Sequence, residues 1–140
     1  MFEIELVPFN DKTKKTIRFI RETVFIHEQN VPPELEFDGL DDSATHALIS
    51  IKGKYIATGR LLDDGHIGRV AILKAYRNNK FGSKLVLSLV DEAKRKGYSR
   101  VYLGSQTHAI GFYQKLGFST FGKEFMDAGI PHLSMEKTLL

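Results

Sequence analysis

The sequence predicts an α+β fold: a mixed, mostly antiparallel sheet of about seven strands flanked by about four helices. Three observations carry this prediction. Residues 45–73 read as three consecutive strands separated by turn signals. Leu85, Val86, Leu89, Val90 and Ala93 recur at the spacing of one helical face. Short strand-like and helix-like runs then alternate to the C-terminus.

The elements follow in order. Phe2, Ile4, Leu6 and Pro8 fall on one face of an opening strand, with Glu3 and Glu5 between the apolar residues. Asp11 or Thr13 is placed to cap a helix running to about Glu28, with Ile17, Ile20 and Val24 as its apolar stripe. Pro32-Pro33 forbids continuation, and residues 34–43 are acidic and turn-rich. Ala47–Ile51 is a strand closed by the turn Lys52-Gly53. Tyr55–Leu62 is a second, followed by the hairpin signal Asp63-Asp64-Gly65, and Ile67–Leu73 is a third. The next helix runs to Lys96-Gly97, a cation and a Gly cap. Arg100–Leu103 reads as a short strand and Thr107–Leu116 as a helix closed by Gly117. Phe118–Phe121 and His132–Lys137 are the last two strands.

Composition narrows the function classes. The 140 residues suit a single domain, 1–140, with a real core. Hydrophobic residues at 42% and charged residues at 26% are ordinary for a globular protein. A net charge of +3 with no basic cluster argues against nucleic acid. There is no Cys, which excludes disulfides, thiolate metal sites and a thiol nucleophile. The five His residues lack His-x-x-x-His spacing, so no metal is expected. The N-terminus lacks the basic start and apolar run of a signal peptide, and no apolar stretch approaches the roughly 18 residues of a membrane span. The expected location is the cytoplasm, with no membrane partner.

One segment points to a ligand. Arg77-Asn78-Asn79-Lys80-Phe81-Gly82-Ser83 follows the apolar run Arg69–Leu73 and opens a helix. First-turn N–H groups have no intrahelical partners, and the helix dipole is positive there. Arg77, Lys80 and Lys84 add cations. The segment is a candidate cradle for a phosphorylated cofactor.

Residues 70–82 resemble the acetyl-CoA signature of the GNAT superfamily of N-acyltransferases, an apolar strand followed by Arg/Gln-x-x-Gly-x-Gly/Ala. Residues 106–118, Gln-Thr-His-Ala-Ile-Gly-Phe-Tyr-Gln-Lys-Leu-Gly-Phe, resemble its second signature, Asn-x-x-Ala-x-x-Φ-Tyr-x-Lys-x-Gly-Phe. The element order matches over nearly the whole chain. Four further stretches, at 25–32, 36–38, 58–61 and 128–132, are similar to the YjcF-like and ElaA-like group of small bacterial GNAT proteins.

The resemblance implies a single-domain acyl-CoA N-acyltransferase fold with acetyl-CoA as acyl donor. It implies cofactor contacts at Ala71, Ile72, Leu73, Arg77, Asn78, Asn79, Lys80, Phe81, Gly82, Ser83, Gln106, Phe112, Tyr113 and Lys115. Phe112 and Leu116 read first as packing residues on spacing. Tyr113 takes the role of the phenol that protonates the departing thiolate. The backbone N–H of Ile72 takes that of the donor to the acyl oxygen. Pantetheine amides would pair with the exposed strand, and the strands at 69–73 and 100–104 should part to admit them.

Two departures stand out. Lys80 replaces the first Gly of the phosphate signature, which implies either a helical φ or an outward side chain. Gln106 replaces Asn but keeps the amide. The general base is not marked: the Glu that many relatives carry early on the cofactor strand falls at Gly68. Glu36 and His46 are the leading candidates, with Asp38 and His132 behind them; water could also relay the proton. The acidic run Glu34, Glu36, Asp38, Asp41 and Asp42 reads either as a solvated loop or as a wall that attracts a cationic amine.

The resulting expectation is acetyl transfer from acetyl-CoA to a primary amine, small-molecule or peptide, by direct attack in a ternary complex, by a monomer or homodimer. The alternatives are an acyl-CoA-binding protein without turnover and an acyltransferase for an amino sugar phosphate.

Overall fold

The computed structural model describes residues 1–139. The order is β1 (Phe2–Val7), α1 (Lys14–Arg21) with a π-helical continuation (Glu22–Glu28), α2 (Pro33–Glu36), β2 (Thr45–Ile51), β3 (Lys54–Leu61), β4 (Ile67–Ile72), α3 (Phe81–Arg95), β5 (Arg100–Gln106), α4 (Ile110–Lys115), β6 (Ser119–Asp127) and β7 (Ile130–Thr138). Single 3₁₀ turns at Lys74–Tyr76 and Thr107–Ala109 precede α3 and α4. No helix among the described residues is long and apolar enough to cross a membrane.

The strands form two antiparallel sheets, β1-β2-β3-β4 and β5-β7-β6. The parallel component of the expected mixed sheet amounts to one bridge, His66 to Tyr102, where the Tyr102 N–H donates to Gly65 O at 3.0 Å. Beyond it β4 and β5 are unpaired and the two sheets part.

Local chemistry explains the elements. Ile17 and Ile20 of α1 are fully buried, with Val24 beside them, as their spacing requires. The predicted cap is corrected. Thr13 stands at the N-cap, but its hydroxyl donates to Pro8 O, and Asn10 Oδ1 accepts from the Lys12 and Thr13 N–H groups. The helix then widens: Gln29 N–H donates to Val24 O at 3.2 Å, five residues back. Leu6 is 42% exposed, so the inward face of β1 is Phe2 and Ile4.

Helix α3 is the centre of the core. Leu85, Val86, Leu89, Val90 and Ala93 are all 1% exposed or less and pack on β2, β3 and β5. Fully burying a Leu or Val side chain contributes about 1.5–3 kcal/mol. Gly59 of β3 permits the approach: a Cβ there would lie 2.6 Å from Leu85 Cδ2. The helix begins at Phe81, within the 77–83 segment itself. Strands β5, β6 and β7 are also longer than their apolar runs, because pairing continues through polar residues.

Candidate active site

Between the diverging strands lies a cleft of about 440 Å³. Its floor is the first half of β4, from Ile67 to Val70. One wall is one face of the smaller sheet: Tyr102, Gly104 and Gln106 of β5, Phe125 and Asp127 of β6, and Ile130, His132 and Ser134 of β7. The opposite wall is Phe25, Gln29, Val31 and Leu35. Ala109 and Tyr113 close the end near α4. Every second residue of a strand faces the same way, so the β5 and β7 contributions follow from pleat alone.

A bulge shapes the floor. Thr58 pairs with Ala71 and Arg60 with Gly68, so β4 carries one residue more than β3 over this step. Arg69 sits in the bulge at φ +53, a strained angle for a non-glycine residue. Its side chain is clamped in place. It donates to Leu35 O and Glu36 O and pairs with Glu36 Oε2 and Asp38 Oδ2, each at 3.2 Å.

That clamp belongs to a larger buried network. Arg21 meets Glu36 at 2.7 Å and Asp41 at 2.6 Å, and Arg60 meets Asp41 at 3.0 Å and Asp38 at 2.8 Å. Three guanidiniums and three carboxylates therefore balance. Arg21, Glu36 and Arg60 are 3% exposed or less. Burial opposes ionisation of Asp38, but the Arg60 hydrogen bonds and charge hold its carboxyl far below the usual range. Burial likewise opposes the ionised form of Asp41, and the Arg21 and Arg60 contacts outweigh it.

The network corrects two expectations. The acidic loop is neither a solvated run nor a negative wall: Glu36, Asp38 and Asp41 turn inward to cations, and only Glu34 and Asp42 remain fully outside it. Glu36 and His46 are not brought to the cleft. Glu36 is committed to Arg21 and Arg69. His46 is 1% exposed, lies under Phe9 and is bonded through Nε2 to Asp41 O at 3.0 Å. Burial pushes its pKa below the ordinary value. Of the other base candidates, Asp38 belongs to the network and His132 lines the cleft.

Several residues expected to contact a cofactor lie at the far end of β4. Leu73 N–H donates to Ile56 O, so by alternation the Ile72 N–H and C=O face the open fork. Ala71 is buried beneath them. Arg77 Nε donates to Ile72 O at 2.9 Å, and its Nη2 pairs with Glu28 at 2.9 Å, tying the strand end to the π-helical turn. Asn78 and Asn79 are exposed, and Asn78 takes φ +67. Lys80 takes the second of the two expected alternatives, an outward side chain, and not a helical angle. Its φ is +64, the conformation Gly would hold freely, and its side chain does point outward. The Lys84 N–H returns to Lys80 O, so the N–H groups ahead of it, through Ser83, have no intrahelical acceptor. Phe81 packs edge-on to Phe2, and Lys84 lies 5.2 Å from the same ring.

Gly82 joins this loop to α4. A Cβ on it would lie 3.3 Å from both Ile72 Cδ1 and Phe112 Cζ. Phe112, read first as packing, is 37% exposed beside the loop. Gln106 donates to Gln29 Oε1 at 3.2 Å across the cleft mouth. Lys115 is exposed and lies outside the cleft lining. Tyr113 is half-buried between Phe112 and Phe118, and burial pushes its phenol up to about 12. It therefore holds its proton at neutral pH.

Several cleft residues carry no sequence signal. Asp63-Asp64-Gly65 marks a turn, but nothing in its spacing marks His66, which stacks on Tyr102 at 4.7 Å and whose pKa burial lowers. Phe25, Phe125 and Asp127 come from segments that meet only in three dimensions. Among the described residues no group of His, Asp or Glu is arranged to hold a metal.

Known proteins share this fold. The family model of the acetyltransferase (GNAT) domain matches residues 10–139. A Bacillus subtilis protein described as the uncharacterized N-acetyltransferase YjcF is 38% identical over 132 residues, 91% of this chain and 94% of that protein. Protein ElaA of Escherichia coli is 32% identical over 129 residues, 86% of this chain and 84% of that one. The crystal structure of an acyl-CoA N-acyltransferase from Pseudomonas aeruginosa superposes with a TM-score of 0.88 at 28% identity, over 98% of this chain and 99% of that chain. The split between the sheets, the loop at the start of α3 and these matches lead to one conclusion: the chain belongs to the GNAT acetyltransferase family and is an acyltransferase.

Proposed function

We propose that this chain is an acetyl-CoA-dependent N-acetyltransferase that acetylates a primary amine by direct attack in a ternary complex. The carrying observation is the fork itself: an open strand edge at Ile72, the α3 N-terminus packed against it through Gly82 with first-turn N–H groups lacking intrahelical acceptors, and a protonated Tyr113 lining the cleft. The residues fit an acyl-CoA. Ala71–Leu73 would pair with the pantetheine amides, and residues 77–83 would hold the pyrophosphate through backbone N–H groups, with Lys80 as the outward cation. Arg77 serves less directly, because Glu28 and Ile72 O already engage it. The thioester supplies the activated acyl group. Ile72 N–H would donate to its oxygen as charge develops, and Tyr113 would protonate the departing sulfur. The acceptor would enter past Phe25, Val31 and Leu35.

The test uses the absence of Cys: released CoA is the one thiol in the assay. With acetyl-CoA and a broad amine panel, the wild type should release thiol. Tyr113→Phe should lower kcat by about 10²–10⁴-fold with acetyl-CoA binding unchanged. A wild type that binds CoA and releases no thiol with any amine is a binding module, and the proposal fails.

A further inference from the structure

Among cleft residues, His132 stands out for the state of its ring. Its Nδ1 lies 2.7 Å from Ile130 O. A carbonyl oxygen only accepts, so Nδ1 carries the hydrogen, and the neutral ring keeps its lone pair on Nε2. The ring is fixed in that pose. Phe125 stacks on it at 5.7 Å, and its Cδ2 lies 3.9 Å from where Gly104 would carry a Cβ. His132 is 8% exposed and lines the cleft, on the β7 position paired with Gln106. A base held by a hydrogen bond at one nitrogen and free at the other is a recurrent arrangement for proton transfer.

We propose that His132 Nε2 takes the proton from the acceptor ammonium, making it a catalytic residue of the transfer. This rests on the N-acetyltransferase reading above. The ammonium gives one proton to His132 Nε2, and the freed lone pair attacks the thioester carbon. The C–N bond forms and the C–S bond breaks with its electron pair passing to sulfur. Tyr113 protonates the sulfur, and the second nitrogen proton restores the Tyr113 phenol through solvent. Amide, thiol and one released proton balance the reaction. The other titratable or charged groups in the cleft are Tyr102 from β5, Asp127 from β6, Tyr113 from α4, and His66 and Arg69 from the β4 side.

The experiment compares wild type, His132→Gln and His66→Gln over pH, using two acceptors: an alkylamine, charged at neutral pH, and an arylamine that is already neutral. His132→Gln should lose about 100-fold or more in kcat/KM with the alkylamine at neutral pH. That loss should shrink with the neutral acceptor and at alkaline pH, while acetyl-CoA binding is unchanged. An equal loss with both acceptors at every pH means a packing role and overturns the proposal. So does wild-type activity in His132→Gln, or an acceptor-dependent loss in His66→Gln alone. Wild-type turnover alongside any of these leaves the acetyltransferase reading standing; no wild-type turnover with any amine removes both.

Discussion

Replacing Gly65 by Ala tests the junction that makes the fork. Gly65 ends the β3–β4 hairpin at φ +93, and its carbonyl accepts the Tyr102 N–H, the backbone bond beside the single bridge between the sheets. A Cβ there would lie 2.5 Å from Arg100 O, 3.5 Å from Arg100 C and 3.6 Å from Val101 Cα. These are backbone atoms of β5, so no side chain can swing aside. A left-handed angle costs a non-glycine residue about 1–2 kcal/mol. Forcing an extra carbon into packed surroundings costs about 1–3 kcal/mol. The sum is about 2–5 kcal/mol, a large part of a typical domain's stability. At this chain length each kcal/mol shifts Tm by roughly 3–5 °C, so a fall of about 6–25 °C is expected. Gly53→Ala is the control, because Gly53 has φ +82 but nothing within 4 Å of its ideal Cβ. It carries the angle cost without the clash. Urea and thermal unfolding of both variants separate the two. Equal destabilisation would refute the claim that the hairpin touches β5 closely enough to set where the sheets part.

Two further outcomes follow from the buried charges. Asp41→Asn leaves Arg21 and Arg60 facing each other with one carboxylate fewer; unfolding in urea should show a loss of about 3–5 kcal/mol. Asp42→Asn, on the exposed side of the same loop, should stay within about 0.5 kcal/mol, and matching midpoints would dismiss the network. The second concerns acid. The unfolded His46 ring takes up a proton near pH 6.5, while burial holds the folded ring below that value. Below about 6.5 the unfolded chain thus binds more protons. The stabilisation is present above that pH and is lost as pH falls through it. Urea midpoints should drop between about pH 7 and 5, less steeply in His46→Gln. His66, shifted the same way, accounts for part of the remaining slope. Identical slopes in the two proteins would count against His46.

The division between sequence and structure can be traced to particular residues. Element order and the α3 core were legible because local periodicity reports which face is buried: Leu85, Val86, Leu89, Val90 and Ala93 needed no partner to be identified as one stripe. The loop at 77–83 was legible because helix N-termini bind anions for local reasons, and its family pattern spans adjacent positions. Tertiary structure alone decided the rest. Glu36 and His46 carry the right groups for a base, yet three arginines lying 15 to 33 residues from the carboxylates they engage draw the acidic loop inward and leave both outside the cleft. His132 becomes a neighbour of both Gln106 and Phe125 through strand register, which sequence spacing does not encode. Local chemistry thus marked the segment proposed to hold the donor. The contents of the cleft depended on long-range pairing, because a side chain's environment is set by residues distant in the chain.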